Sequence, residues 1–281
     1  MTLFTLLIVM ALERISVKSK RFHITTLANQ YFAFLNKKRI VKNNNSIIVA
    51  VLVAGVPAAI AFALVILLPG LFVFALYLFA LWVCLGCPVT RQTYKRYLQA
   101  ADRGDFEACS LYSESFGNNG GALSEVGKQL VLVNYRQYAS VIIFFVLLGL
   151  PGMVFYSIAK EWHFSTLSTG DGDSASTDNA QPSKAKRLLN ILDFIPARIT
   201  AFGFLLVGHF SSGLGKWLET ALSIKIDAYD LLASVAKASE SIPSNDKPYL
   251  NEALQMVNLV KRNIVFLLMT ISVMTLVGLV A

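Results

Sequence analysis

Residues 43–90 contain no charged side chain, and this feature most restricts how the chain can fold. A helix needs about 20 residues to cross a hydrocarbon layer about 30 Å thick, so the stretch is long enough to cross twice. Pro69-Gly70 divides it, and such a pair is typical of a helix end followed by a tight turn. The sequence therefore predicts a transmembrane hairpin with helices over 46–68 and 70–87. A soluble hairpin is disfavoured, because neither half has the polar face of a surface helix.

Four further stretches lack charged side chains. Residues 137–159 and 263–281 are long enough to span a bilayer, whereas 1–12 and 199–215 are short and suit half-helices, re-entrant segments or interfacial helices. The chain is 55% hydrophobic and 15% charged, which agrees with a membrane protein. We therefore predict an all-α, polytopic membrane protein. Its helical bundle would have about four long apolar helices, short half or re-entrant helices, and cytoplasmic helical inserts.

Basic residues concentrate before the first span. Residues 13–45 carry a net charge of +7, of the +8 in the whole chain. By the positive-inside rule this segment lies in the cytoplasm, and the hairpin returns residues 88–138 to the same side. Anionic lipid headgroups account for the basic charge, so the bilayer is the expected partner and nucleic acid is not. The sequence does not determine the oligomeric state.

We predict a single domain over residues 1–281. Its segments are a short apolar helix (1–12), the basic segment (13–45), the hairpin (46–87), a cytoplasmic helical insert (88–138), a membrane segment (139–159), a flexible loop (160–192), a short apolar helix with its leading motif (193–210), amphipathic helices (211–261) and a final transmembrane helix (262–281). Gly149-Leu-Pro151-Gly152 predicts a backbone break. The segment containing it either crosses the membrane or re-enters on the same side.

The sharpest candidate site is Asp193-Phe-Ile-Pro196-Ala-Arg198. Proline suits the first turn of a helix, so we expect a helix to begin here and to expose free N–H groups. Arg198 in that first turn would add further donors, giving a pocket for phosphate or carboxylate. Asp193 would cap the helix, pair with Arg198 or bind a metal–nucleotide complex. The structural alternative is a capped helix with a snorkelling arginine or a local ion pair.

A second candidate site is Asn134-Tyr-Arg136-Gln-Tyr138, at the start of an apolar segment. Asn134 and Tyr138 are one helical turn apart. Arg136 is a ligand candidate, or alternatively an anchor at the lipid headgroups. Secondary candidates complete the set: Glu13, Arg14, Tyr138 and His209. For these, an ordinary interfacial or structural role is the alternative.

The sequence contains no nucleophile–base set, no paired carboxylates and no phosphate-binding loop, so we assign no catalytic residue. The three histidines are far apart and give no metal-ligand spacing. Cys84 and Cys87 have the spacing of a redox motif but end an apolar helix. Together with Cys109, they are interpreted as small packing residues.

Several motifs resemble the AmpE family. They are the opening Met1-Thr-Leu-Phe-Thr-Leu-Leu with Glu13-Arg14, the run Tyr94-x-x-Tyr97-Leu98-x-Ala100-Ala101-x-Arg103, Asn134-x-Arg136-x-Tyr138, Leu192-Asp193-x-x-Pro196-x-Arg198 with Gly208-His209, and the closing apolar helix. The match runs from end to end in the same order. The resemblance implies an inner-membrane protein associated with induction of chromosomal β-lactamase.

That family in turn looks like a divergent relative of the cobinamide-phosphate synthases (the CbiB/CobD family). The shared parts are the Asn134 region, Gly149-x-x-Gly152 and Pro196–Arg198. This chain has Arg136-Gln137 where those enzymes carry an acidic Asp-Gly pair, and it lacks their Asn-Thr-Leu-Asp-Ser-Met run and their Pro-Asn-rich C-terminal segment. The resemblance therefore implies a retained scaffold, with much of the synthase chemistry lost.

Three functions follow from these resemblances and residues. The first is a regulator or sensor that binds a cell-wall-derived signal or a nucleotide with Mg²⁺ and acts on a cytoplasmic signalling or cell-wall-recycling partner. Its predicted ligand contacts are Asn134, Arg136, Asp193, Pro196 and Arg198. The second is a membrane-bound ligase or transferase acting on an amino-alcohol phosphate. The third is a structural subunit without a ligand, in which Arg198 pairs with Asp193.

Overall fold

The computed structural model describes residues 2–15, 23–37, 47–117, 123–168, 184–221, 223, 226–240 and 248–279. Helices and turns account for the regular structure of these residues, which include no strand. The α-helices are α1 (Thr2–Ile15), α2 (Ile24–Lys37), α3 (Ile47–Leu67), α4 (Gly70–Cys84), α5 (Pro88–Arg103), α6 (Phe106–Glu114), α7 (Val126–Asn134), α8 (Ser140–Ser168), α9 (Lys184–Val207), α10 (Phe210–Ala221), α11 (Ala228–Ser239) and α12 (Pro248–Leu276). The predicted all-α fold is confirmed.

The predicted hairpin is present as α3 and α4. Pro69 caps the start of α4 in an extended conformation, with φ −68° and ψ 154°. The outward surfaces of both helices are apolar: Ile60 and Phe62 on α3 and Phe72 on α4 are exposed. Exposed large apolar side chains along a helix without charges are typical of a surface that faces lipid.

Within the described residues, five helical stretches are long and apolar enough to cross a membrane. Four of them correspond to the predicted long apolar segments. They are Ile47–Leu67, Gly70–Arg103, Val126–Ser165 and Leu250–Leu276. The chain is thus a multi-pass membrane protein, with one more long apolar helix than the four expected.

The fifth stretch, Ala185–Val207, corrects two predictions. Residues 184–192 are helical rather than part of a flexible loop, and Pro196 lies inside α9 rather than at the start of a short helix. The cause is a buried stripe at helical spacing, formed in part by Leu189, Ala197 and Ala201. Its packing offsets the backbone hydrogen bond that a proline inside a helix removes.

The predicted backbone break in α8 is confirmed at Gly149. Its φ of 67° and ψ of −158° are not helical and are readily adopted only by glycine. Beyond the break the helix continues to Ser168, so residues 160–168 are also helical rather than in the predicted loop. The rest of that loop, residues 169–183, lies outside the described residues.

Two compact units are distinguished within the chain. The first, unit 1, consists of the described residues of Met1–Leu85 and Val141–Asp193. Helices α1 and α4 pack against each other, and aromatic contacts join helices of the unit to α8. Phe32 meets Trp162 edge-to-face with ring centroids 4.9 Å apart, and Tyr77 meets Phe145 at 5.7 Å. These contacts attach α2 and α4 to α8.

The second unit, unit 2, consists of the described residues of Gly86–Ser140 and Phe194–Leu279. One part of its core is formed by α5, α6, the turn after α6, α7 and α12, through Tyr97, Ala100, Cys109, Phe116, Val126, Leu130, Ala253 and Val257. Helices α10 and α11 pack against each other, and α11 also packs on α7. The assignment of the whole chain to one domain stays a prediction.

Candidate ligand-binding site

The predicted site residues are divided between the two units. Unit 1 contains Glu13, Arg14 and Asp193, and unit 2 contains Asn134, Arg136, Tyr138, Pro196, Arg198 and His209. Each group is therefore described within its own unit. The assignment of these residues to a ligand site stays a prediction, but their partners show what each side chain does in the fold.

A π-helical turn over Tyr135–Ala139 lies inside the second predicted site. Such turns insert an extra residue into a helix and are frequent at functional sites. The Asn134 amide donates to the Leu130 carbonyl oxygen at 2.7 Å, one turn earlier. Arg91 Nη2 donates to the Tyr138 hydroxyl at 3.1 Å. The Asn134–Tyr138 segment is therefore held by contacts on both sides of the wider turn.

The guanidinium of Arg136 stacks on an aromatic ring. Its Cζ lies 3.9 Å from the ring centroid of Tyr229, near the start of α11. A cation over the face of a tyrosine ring is attracted by the ring's quadrupole. Arg136 thus connects the π-helical turn to α11, and it is half-buried.

Arg198 binds the carboxyl end of α10. Its Nε donates to the Ala221 carbonyl oxygen at 3.0 Å, and its Nη2 donates to that of Ser223 at 3.1 Å. The third bond runs from Nη1 to the Phe194 carbonyl oxygen at 3.0 Å. Carbonyl groups at the end of a helix have no partner within the helix and carry partial negative charge, so a cation stabilises them.

This geometry removes the helix start on which the predicted anion pocket was based, while the ligand site itself stays a prediction. Because α9 begins at Lys184, the backbone at Pro196 does not expose the N–H groups of a first turn. The three bonded N–H groups of Arg198 point at carbonyl oxygens, which would compete with an anion for them. Its guanidinium also lies over the Phe194 ring, with Cζ 3.6 Å from the centroid.

Asp193, in unit 1, is fully buried and lies inside α9, so it does not cap the start of a helix. Its Oδ1 accepts a hydrogen bond at 3.0 Å from the hydroxyl of Tyr156, which is also fully buried. Ionisable groups inside an apolar helical stretch are costly unless they are hydrogen-bonded or paired. One turn further along α8 from Tyr156, Lys160 lies 3.6 Å from Glu161, and both side chains are buried. Unit 1 thus contains a buried polar cluster: Tyr156, Lys160, Glu161 and Asp193.

Sequence reasoning missed three members of this cluster, Tyr156, Lys160 and Glu161. A signal was available, because Lys160-Glu161 interrupts a long apolar stretch. When a helix continues past such a charged pair, the pair is expected to make a buried polar contact.

Sequence reasoning also missed a cavity in unit 2. It has a volume of about 350 Å³ and lies between α7, α11 and α12. Ten residues line it: Glu125, Lys128, Val131, Asp230, Ala233, Ser234, Ala236, Lys237, Glu252 and Met256. Little in the sequence indicates this cavity, because its charged residues come from three separate segments.

The family follows from comparison with known proteins. The sequence pattern of the family described as "Regulatory signalling modulator protein AmpE" matches residues 1–281. The chain belongs to the AmpE family. A relative from Shigella flexneri, "Protein AmpE", is 22% identical over 291 aligned residues, which cover 99% of this chain and 99% of that protein. No solved structure matches this AmpE-family chain.

The structure gives a packing role to the Gly208-His209 motif of this AmpE-family protein. The backbone N–H of His209 donates to the Ser239 carbonyl oxygen at 2.8 Å, at the end of α11. A Cβ atom on Gly208 would lie 2.5 Å from the same oxygen, so only glycine allows this close approach. The imidazole of His209 is exposed.

The remaining secondary candidates lie at the end of α1. Glu13 is buried and Arg14 is exposed. Among the described residues of this AmpE-family chain, no three His, Cys, Asp or Glu side chains are placed to hold a metal ion. The three cysteines, which are all described, are thiols. Burial raises the pKa of the Cys109 thiol, and the nearby Asp105 carboxylate raises it further.

Proposed function

We propose that this AmpE-family protein is a regulator in the inner membrane of a bacterium, acting in the induction of chromosomal β-lactamase. It would sense a signal derived from cell-wall breakdown and act on a cytoplasmic signalling or cell-wall-recycling partner. The observation that carries the proposal is the match of residues 1–281 to a family described as a regulatory signalling modulator. The helices outside the apolar stretches would provide the surface for that partner.

The charge distribution supports a cytoplasmic location for residues 13–45 and 88–138. The first segment has a net charge of +7. After the hairpin, α5 exposes Arg91, Lys95 and Arg96, while Tyr97 on its opposite face is buried. Basic residues at both ends of a transmembrane hairpin favour placement of both ends in the cytoplasm.

The regulatory role is tested by deleting the gene in its own host and measuring β-lactamase activity with and without an inducing β-lactam. We expect the deletion to change the induced activity and a plasmid copy of the wild-type gene to restore it. Equal induction in the deletion strain and its parent would contradict the proposal. Growth and uninduced activity serve as controls for a general membrane defect.

The orientation is tested independently with a single cysteine on α6. Ser110→Cys, at an exposed position, is introduced into a variant without the three native cysteines. We expect a membrane-impermeant maleimide to label it in inside-out vesicles and not in intact spheroplasts. Labelling in intact spheroplasts would place α6 outside the cytoplasm and remove the proposed surface for a cytoplasmic partner.

Two finer predictions stay without support from the structure. One is the binding of a nucleotide with Mg²⁺, for which the Arg198 site was the main argument. The other is the alternative function of a ligase or transferase related to the cobinamide-phosphate synthases. The bonds from Arg198 to the carbonyl end of α10 favour a structural role for this residue in the resting protein.

A further inference from the structure

The cavity between α7, α11 and α12 has the features of a small-molecule site. Its volume of about 350 Å³ lies within the range usual for ligand pockets. Val131, Ala236 and Met256 are almost fully buried and form an apolar part of its wall. Charged side chains form much of the remainder, so the cavity offers both an apolar surface and polar contacts.

The charges of the cavity are mixed, with an excess of acid. Three carboxylates and two ammonium groups line it: Glu125, Asp230 and Glu252, with Lys128 and Lys237. Lys128 Nζ lies 3.6 Å from Asp230 Oδ1, and both of these side chains are substantially exposed. The other three charged groups, on Glu125, Lys237 and Glu252, line the same cavity.

A glycine makes room for the least exposed of these carboxylates. A Cβ atom on Gly127 would lie 2.8 Å from Cγ and 3.0 Å from Oε1 of Glu252. Real Cβ atoms do not approach other atoms this closely, so a larger residue at position 127 would displace the Glu252 side chain. Gly127 therefore allows Glu252 to lie directly against α7 and beside the cavity.

The cavity lies beyond the apolar end of α12. Glu252 precedes Arg262 by ten residues, a distance of about 15 Å along a helix. Residues 263–281 carry no charge, so Arg262 marks the start of the segment expected in the membrane. On α12, Glu252 is therefore outside the uncharged segment expected in the hydrocarbon layer, where a water-soluble ligand can reach it.

We propose that this cavity binds a small zwitterion with an additional ammonium group, such as a basic amino acid or a short peptide that contains one. The ammonium groups of the ligand pair with Glu252 and Glu125, and its carboxylate pairs with Lys237. Its carbon chain packs on the apolar wall formed by Val131 and Met256. The excess of acid disfavours phosphate and other anions.

The test is a titration of the full-length protein in detergent, followed by calorimetry, with the dipeptide Ala-Lys as probe. This probe has two ammonium groups and one carboxylate. Two matched probes each lack one feature: Ala-Lys amide has no carboxylate, and acetyl-Ala-Ala has no ammonium group. We expect saturable binding of Ala-Lys and at least about tenfold weaker binding of either matched probe.

The variant Glu252→Gln keeps the shape of the side chain and removes its charge. We expect it to bind Ala-Lys about tenfold or more weakly, because a charge-assisted hydrogen bond is lost. Glu219→Gln is the matched control, since Glu219 is exposed on α10 and pairs with Lys216 away from the cavity lining. It should bind as the wild type does. Circular dichroism establishes that each variant keeps its helix content.

Gly127→Ala is a second variant that keeps every charge but displaces Glu252. Its new methyl group meets the flexible side chains of Glu252 and Met256, so we expect the fold to be retained and the binding of Ala-Lys to weaken. The proposal is overturned if the wild type shows no saturable binding of Ala-Lys. It is also overturned if Glu252→Gln binds with wild-type affinity, or if acetyl-Ala-Ala binds as tightly as Ala-Lys. These results leave the β-lactamase induction assay unaffected.

Discussion

Arg198→Lys separates a structural role of this residue from an anion-binding role. Lysine keeps the positive charge but replaces the planar fork of N–H groups with a single compact ammonium. In the structure, three different N–H groups of Arg198 reach the carbonyl oxygens of Phe194, Ala221 and Ser223. One ammonium cannot occupy all three positions, so we expect two of the three hydrogen bonds to be lost.

The expected destabilisation follows from these two bonds. A hydrogen bond in a protein contributes about 0.5–1.5 kcal/mol to stability. Bonds from charged donors can contribute more, but Arg198 is only half-buried, so we use the lower range. Losing two such bonds should reduce the free energy of unfolding by about 1–3 kcal/mol. For a domain of about 150–250 residues this corresponds to a Tm lower by about 2–12 °C.

The assay is thermal unfolding in detergent, followed by circular dichroism, with Arg187→Lys as the matched control. Arg187 lies on the same helix and is exposed, so its replacement should change the free energy of unfolding by less than about 0.5 kcal/mol. If Arg198→Lys and the wild type have the same Tm, the hydrogen bonds from Arg198 to the carbonyl oxygens do not stabilise the fold. A rise in the wild-type Tm with inorganic phosphate that is absent in Arg198→Lys would instead indicate an anion site.

Two further predictions concern buried groups. Tyr156→Phe removes the hydrogen bond to Asp193 and should lower the free energy of unfolding by about 1–3 kcal/mol. Tyr31→Phe is the control: its hydrogen bond is longer and only partly buried, so its loss should lower the free energy of unfolding by less than about 1 kcal/mol. Equal melting temperatures for the two variants would contradict this prediction. Cys109 should react with N-ethylmaleimide more slowly than the half-buried Cys87. Burial hides the Cys109 thiol and raises its pKa, so less of the reactive thiolate is present at a given pH. Mass spectrometry after a short pulse measures both rates, and equal labelling of the two cysteines would refute this explanation.

One of the predictions that failed, a helix start at Pro196, shows how local and longer-range signals compete. Proline in the first turn of a helix is a strong local preference. The apolar stripe that includes Leu189, Ala197 and Ala201 continues through position 196 at helical spacing, and its burial outweighs that preference. The helical spacing of these apolar residues is visible in the sequence. The sequence does not show, however, that their side chains have a surface to pack against.

The break at Gly149 illustrates the opposite case. Glycine permits backbone angles outside the helical range, and a nearby proline lacks the N–H that a helix interior needs. Both effects are local, so the sequence was sufficient to predict the break. The π-helical turn at Tyr135–Ala139, in contrast, could not be predicted from the sequence. A π turn is a small adjustment of a helix, and the residue types at those positions do not require it.

The sequence by itself determined the helical membrane class, the hairpin of α3 and α4, the break in α8 and the resemblance to the AmpE family. These depend on composition, length and short motifs along one stretch of chain. Only the tertiary structure decided the partners of Arg198 and Arg136, the burial of Asp193 against Tyr156, and the cavity beside Glu252. Each of these joins groups that are far apart in sequence, so it exists only once the helices that hold them have packed.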